Sequence, residues 1–241
     1  MSAPEESKST KSMAKLRGYQ LIPKDNLAMK LRKTCSSAER IQLFPYCSHH
    51  VAKYHSWMKD PHMQELTGSE PLSLSEEYEM QKEWMRDTEK CTFIISDCQK
   101  WNAAGSVSSV EDLNQLEEQC MIGDVNLFLS TDEETGGKCA EVSIMIAESG
   151  YQRRGYASET LLCVFAFARN ELLVERVCAK IGYENAASIG LFTQKLGFRE
   201  ESRCDVFKEV TLELDLTAES SKSDAVCPMM KYQPYRQLKL E

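Results

Sequence analysis

The sequence lacks the features that would mark it as a membrane, nucleic-acid or metal protein. No apolar run approaches the ~20 residues that cross a bilayer, and the opening MSAPEESKSTKSMAK has no apolar core of the kind a secretory signal carries. A soluble, cytoplasmic protein without a membrane partner is expected. Basic charge is not in excess: the formal net charge is −8, whereas nucleic-acid phosphates reward a basic footprint, so no nucleic-acid partner is expected. Ten cysteines are present, at 35, 47, 91, 98, 120, 139, 163, 178, 204 and 227, without one Cys-x-x-Cys pair. That scatter argues for reduced thiols rather than a zinc or disulfide framework. Histidine is scarce, and His49, His50, His55 and His62 have no partnering cysteine or carboxylate at ligand spacing. The segment YHSWM instead puts Tyr54, Trp57 and Met58 on one helical face, with the histidines mostly off it, and no metal is expected. Neither Gly-x-Gly-x-x-Gly nor Gly-Lys-Ser/Thr occurs, which removes the dinucleotide and Walker phosphate loops.

What is there suits one domain. The chain has 241 residues and is 42% hydrophobic, enough for one full core with additional segments. Residues 1–33 carry eight Lys or Arg against three acids, interrupted by Gly18 and Pro23, and read as a basic, disordered arm. Glu5 and Glu6, with lysine preferred over arginine, count against a transit peptide. From Arg40 the texture changes. RIQLFPY reads as a strand, HHVAKYHSWM as a helix, and Ser73 with Glu76 forms a capping box before EYEMQKEWM. CTFIIS and MIGDVNLFLS read as strands separated by a polar, turn-rich insertion at 97–119 on the surface of a hairpin. AEVSIMIAE shows little alternation, as expected for a central strand buried on both faces. A helix from Ala157, the strand RVCAKIG, a helix across AASIGLFTQKLGF and a closing strand FKEVTLELDL follow. In the last, Val210, Leu212, Leu214 and Leu216 alternate with polar residues. Residues 218–241 form a polar tail for which Tyr232 and Tyr235 offer docking points. The element order predicts an α/β sandwich around one mixed sheet.

The most informative stretch is ESGYQRRGYASETLLCVFAFA, residues 148–168. A loop between a central strand and a long apolar helix presents unpaired backbone N–H groups at the positive end of the helix dipole. Arginines beside small residues at Gly155 and Ala157 suit an anion that must approach the backbone closely, as a pyrophosphate does.

The pattern Gln152-x-x-Gly155-x-Ala157 resembles the acetyl-CoA pyrophosphate loop of the GNAT acetyltransferase superfamily. NAASIGLFTQKLGF resembles that superfamily's second motif, at Asn185, Lys195, Gly197 and Phe198. Further segments, among them YHSWM, LTGSEPLSLSEEYEMQ, KCTFI, CMIGDVNLFL and VFKEVTLEL, look like the N-acetyltransferase 9 family, described as acetylating the N termini of α- and β-tubulin. Departures are the lysine-rich arm and YQRRGYAS in place of a more glycine-rich loop.

The resemblance implies an N-acetyltransferase domain over 34–217, a GNAT-type α/β/α sandwich whose mostly antiparallel central sheet is splayed, acetyl-CoA as acetyl donor and tubulin as acceptor. It also implies a cytoplasmic place, with microtubule association as a further expectation. It places the acetyl-oxygen donor at Met145, a contribution of ~3 kcal/mol for such groups. Ile146 and Ala147 would line the pantetheine arm, and the amides of Arg153, Arg154, Gly155, Tyr156, Ala157 and Ser158, with Gln152, would hold the pyrophosphate. Asn185 and Phe192 would contact the coenzyme from the second motif. Glu141 is the first candidate base, with a solvated strand-end carboxylate as the alternative; Glu148 and Asp124 are weaker candidates. Phe192 occupies the position where the superfamily often has an acidic tyrosine. Tyr183 is the nearby substitute, and a structural role at a strand end competes with that reading. An α-amine of pKa ~8 is ~10% neutral near pH 7, far more than lysine at ~10.4, which favours an N-terminal acceptor. A small-molecule amine acceptor and a non-catalytic microtubule-binding protein with a vestigial fold remain open.

Overall fold

The computed structural model describes residues 33–34, 40–104, 108–217 and 231–232. The basic arm before Lys33 lies outside them, as does most of the tail, Tyr235 included. Tyr232 falls in β9 (Lys231–Tyr232), which pairs with β1 (Lys33–Thr34).

Seven further strands form one sheet: β2 (Ile41–Pro45), β3 (Lys90–Asp97), β4 (Met121–Thr131), β5 (Lys138–Ile146), β6 (Arg176–Gly182), β7 (Arg199–Cys204) and β8 (Glu209–Asp215). Their order is β2-β3-β4-β5-β6-β8-β7. Only β5 and β6 run parallel, so the sheet is mixed and mostly antiparallel, as expected. The expected central strand is β5, fourth of seven. Its pairing with β6 stops at Glu141↔Cys178, although both strands continue, to Ile146 and Gly182. Beyond that point the two strands splay.

The sheet is not buried on both faces at β5. Ala140 and Val142 are buried, Ser143 is exposed and Ile144 is intermediate. The apolar run reads as doubly buried because residues that line a cleft are as apolar as residues that line a core.

Helix α6 (Tyr156–Glu171) and helix α7 (Ala186–Gly190), prolonged by a π turn over Leu191–Leu196, cover one face, where Phe93, Phe165, Phe167 and Phe198 pack. Helices α1 (Val51–Met58), α2 (Pro61–Thr67) and α3 (Leu74–Arg86) cover part of the other, around Tyr46, Tyr54, Ile94 and Met145. The capping box forms: Ser73 N–H donates to Glu76 Oε2 at 2.7 Å, and the Glu76 N–H to Ser73 Oγ at 3.4 Å. Helix α2 was not expected, although Asp60 caps it, Pro61 opens it and Gly68 closes it in the left-handed region.

Three expectations need correction. The 97–119 segment is helical, with α4 (Cys98–Ala103) and α5 (Val110–Cys120) packing Trp101, Leu113 and Leu116 on Phe44. Its polar composition hid one short apolar stripe. The strand β7 was missed because REESRC carries no apolar alternation; it lies at the sheet edge, exposed over most of its length. Among the described cysteines, Cys47, Cys91, Cys120, Cys139, Cys163, Cys178 and Cys204 are reduced thiols, whereas Cys98 is disulfide-bonded, unlike the expected fully reduced set. No described helix is long and apolar enough to cross a membrane.

Candidate active site

The loop from β5 to α6 presents main-chain N–H groups at the N-terminus of a long helix. After Ile146, the Ala147 and Glu148 N–H groups both donate to Ile122 O, at 2.9 and 3.2 Å. A single 3₁₀ turn, Ser149–Tyr151, then lifts the chain away from the sheet. Gln152 Nε2 reaches back to Ile146 O at 2.9 Å and closes the loop. Arg153 adopts φ 59° and Gly155 φ 88°, so peptide dipoles turn inward as in a backbone nest. Gly155 is the N-cap of α6 and offers no side-chain cap, which leaves the first-turn N–H groups to an incoming ligand.

The loop is held from outside by residues the sequence did not single out. Arg40, just before β2, donates through Nε to Glu159 Oε2 at 2.9 Å and through one guanidinium nitrogen to Arg154 O at 2.8 Å. Its guanidinium also stacks on the Tyr156 ring, 4.5 Å from the centroid. Tyr151 OH donates to Asp97 Oδ2 at 2.6 Å. Glu159, the first-turn acid that would repel a phosphate, is thereby neutralised by Arg40. Replacing Arg40 with alanine is expected to raise the KM for the anionic ligand about tenfold, equivalent to ~1.4 kcal/mol, with kcat nearly unchanged. Steady-state kinetics check this, and a lower kcat at constant KM would refute the positioning role.

The hydrogen-bond phase of β5 decides which amides face the splay. Ala147 N bonds to Ile122 O on β4, and Lys138 O accepts from Glu175 N on the β6 side. Main-chain groups alternate sides along a strand, and β5 pairs with β4 without a register break. The Met145 N–H and C=O therefore turn toward β4. Ile144 and Ile146 turn toward β6, where the splay leaves their N–H groups without a strand partner. The main-chain groups that face the splay are thus those on either side of Met145, a one-residue phase that side-chain pattern does not reveal.

The other expected residues are distributed as follows. Glu141 Oε2 accepts from Lys180 Nζ at 2.7 Å, with the lysine half exposed. Glu148 is engaged by Trp57 Nε1 at 3.0 Å and lies 3.4 Å from Lys53 Nζ. Ala157 and Ser158 lie half-buried in the first turn of α6, while Tyr156 is buried and offers only its main chain. Asn185 caps α7, its Oδ1 accepting from Ser188 N at 3.1 Å. Phe192 is 2% exposed and meets Phe198 edge-on at 4.9 Å, so its ring belongs to the core. Tyr183 OH donates to Asp205 Oδ1 at 3.0 Å beside the β7–β8 turn.

Across β4 from Met145 stands Asp124, which is 3% exposed. Thr92 Oγ1 donates to Asn126 Oδ1 at 2.7 Å, and Asn126 Nδ2 to Asp124 Oδ2 at 2.7 Å. Burial pushes the Asp124 carboxyl up to about 7, against the Asn126 hydrogen bond and the Lys90 charge. Burial likewise pushes Glu77 up to about 6 and Lys90 down to about 8. Lys90 Nζ lies over Trp84, 3.0 Å from the ring centroid, and over Phe128 at 4.4 Å. The signal available in the sequence was the pair Asp124 and Asn126 inside the otherwise apolar strand IGDVNLFL.

Away from the splay, Cys47, His49 and His50 bring their ligand atoms within 4.8 Å of one another. Glu117 engages the two rings, at 2.5 Å from His49 Nε2 and 3.2 Å from His50 Nε2.

The family model described as "Acetyltransferase (GNAT) domain" matches residues 40–199. The chain is 40% identical to the alpha/beta-tubulin-N-acetyltransferase 9 of Mus musculus over 215 residues, covering 88% of this chain and 85% of the relative. It is 45% identical to an N-acetyltransferase 9-like protein of Nematostella vectensis, over 73% of this chain and 83% of that one. Among solved structures, the Vibrio cholerae spermidine N-acetyltransferase in complex with CoA and spermine superposes with a TM-score of 0.59 at 18% identity, over 74% of this chain and 96% of that chain.

Proposed function

The chain belongs to the GNAT acetyltransferase family and is an acyltransferase, and from that premise we propose that it moves the acetyl group of acetyl-CoA onto a protein N-terminal amine, with tubulin as the acceptor. The observation that carries the donor half is the splay of β5 from β6 ending in an anion-receiving loop at Gly155. Acetyl-CoA supplies a diphosphate for the loop and a thioester carbonyl for the splay. The amides of residues 153–158 would hold the diphosphate, Ile146 and Ala147 would flank the pantetheine, and an N–H of Ile144 or Ile146 would polarise the carbonyl. Such a donor is worth ~3 kcal/mol in the transition state.

The acceptor half is supported by the names of the mouse and human relatives and by acid–base arithmetic. An α-amine of pKa ~8 sheds its proton at far lower cost than a lysine of ~10.4. With Phe192 in the core no side-chain acid stands at that position, but a thiol of pKa ~8.5 leaves acceptably as thiolate. Positioning of the two substrates then supplies ~7 kcal/mol or more of the rate. A tubulin substrate implies a cytoplasmic enzyme that works beside microtubules.

Mass spectrometry of tubulin N termini after incubation with the full chain and isotope-labelled acetyl-CoA tests the proposal. A labelled α-amide is expected, with spermidine left unmodified. Labelled spermidine with unlabelled tubulin would move the acceptor to small amines.

A further inference from the structure

The face of β4 and β5 opposite α6 carries more buried acid than its cations balance. Asp124 and Glu77 are 3% and 2% exposed, and Tyr46 and Tyr54, 5% and 7% exposed, stand with them. Burial above all, and then the charges of Glu77 and Asp124, push both phenols well above their ordinary value, so each phenol lies in the field of both acids, and the two rings are 5.2 Å apart. Asp124 makes no ion pair among the described residues. Glu77 has one carboxylate oxygen 3.8 Å from His55 Nδ1 and its Oε2 without a hydrogen-bond partner. The Tyr46 hydroxyl and Gln81 Oε1, both in buried residues, are also unpartnered. The cation in this field, Lys90, is stacked on Trp84 and Phe128. Buried acceptors without donors cost free energy, so a fold retains them where a ligand satisfies them.

The ligand such a cluster suits is a primary ammonium, which brings three N–H donors and one positive charge. Trp57, Tyr78, Trp84 and Ala147, half-buried, pack against the same cluster, which contains Tyr46, Tyr54 and Met145. Resting on the acetyl-transfer reading above, we propose that this cluster forms the acceptor site: Tyr46 and Glu77 hold the incoming ammonium beside Met145, and Asp124 takes its proton. The proton passes from nitrogen to the Asp124 carboxylate. The freed lone pair forms the C–N bond at the thioester carbonyl, and the C–S bond breaks as the thiolate leaves. The second amine proton goes to that sulfur, and Asp124 returns its own to water. A carboxyl near 7 is matched to an amine near ~8, the condition for efficient general-base catalysis near neutrality. Lys90 on β3 acts on Asp124, and Asp124 in turn acts on Tyr46 before α1 and Tyr54 on α1; the same phenols feel Glu77 on α3, and Tyr46 feels Tyr78 on α3 as well. Among these, Lys90 is cationic and Glu77 is the second acid. Glu141, by contrast, is held by Lys180 nearer to solvent.

The test uses the full chain with acetyl-CoA and an unmodified tubulin N-terminal peptide, comparing Asp124→Asn, Tyr46→Phe and Glu141→Gln over pH 6 to 9, with acetyl-CoA affinity read by calorimetry. Asp124→Asn is expected to lower kcat about thirtyfold at pH 7 with acetyl-CoA affinity unchanged. It is also expected to move the acid limb of the rate from near 7 to the ~8 of the free α-amine. Tyr46→Phe is expected to raise the peptide KM several-fold and keep the limb. An unaltered rate and limb in Asp124→Asn overturns the proposal, as does loss of the limb in Glu141→Gln alone, which returns the role to Glu141. A parallel fall in acetyl-CoA affinity makes Asp124 structural. Absence of acetyl-CoA binding in the unsubstituted chain removes the transfer reading itself, and this inference with it, and is distinguishable because it precedes any peptide measurement.

Discussion

Gly155→Leu should reduce acetyl-CoA affinity at least a hundredfold while leaving the protein folded. Two costs combine at this position. Gly155 has φ 88° and ψ 2°, a region that a side chain enters at ~1–2 kcal/mol. A Cβ there would stand 3.2 Å from an Arg40 guanidinium nitrogen, tighter than ordinary contact, so the clamp on Arg154 and Glu159 must shift. The larger effect falls on the ligand, because the N–H groups opening α6 serve a diphosphate only if it comes within ~3 Å of them. The loop is solvent-exposed at residues 152–154, so the loss of thermal stability should stay within a few degrees. Calorimetric titration together with a melting curve reads both quantities. An affinity within threefold of the parent would show that the diphosphate binds elsewhere.

Glu117→Ala should cost ~3–5 kcal/mol of folding stability, the range for removing one member of a buried charged pair. Glu117 is 1% exposed and ties α5 to the corner between β2 and α1 through His49 and His50. His50 Nδ1 accepts from the Cys47 N–H at 3.0 Å, so its proton sits on Nε2, the nitrogen facing Glu117. Burial by itself would raise the Glu117 carboxyl, but the two histidines overcome it and hold the group well below its ordinary 4.5. The sign follows from linkage. A depressed carboxyl contributes stability that is complete above its unfolded value and is lost as pH falls through the folded one. The deficit of the variant should therefore be full at pH 7 and shrink toward pH 3. Denaturant unfolding at the two pH values measures it; an equal deficit at both would mean that the loss is one of packing alone.

The turn between β5 and α6 was largely legible in the sequence. Gln152, Gly155 and Ala157 sit where a strand yields to a helix, and a turn of that kind is written in consecutive residues. The capping box at Ser73 and the alternation in β8 were legible for the same reason, since each interaction spans a few positions. Helix α5 was harder, because Leu113, Leu116 and Cys120 make a thin stripe in a polar segment whose partner, Phe44, lies some seventy residues away. Strand β7 had no apolar period to read.

The cluster proposed as the acceptor site was not legible as one. Asp124 stood out as an acid within an apolar strand, but nothing local puts it across from Met145 or in reach of the Tyr46 and Tyr54 phenols. Lys180 was likewise not seen as the partner of Glu141, 39 positions away.

By itself the sequence determined the turn that opens α6, the helix caps and the order of elements, because each depends on dihedral preferences and short-range hydrogen bonds between neighbouring residues. Tertiary structure decided where β5 parts from β6, that Ile144 and Ile146 rather than Met145 turn their amides into that gap, and which acids act on the same two buried phenols. Those outcomes depend on strand register and on desolvation, and both arise only when distant segments pack.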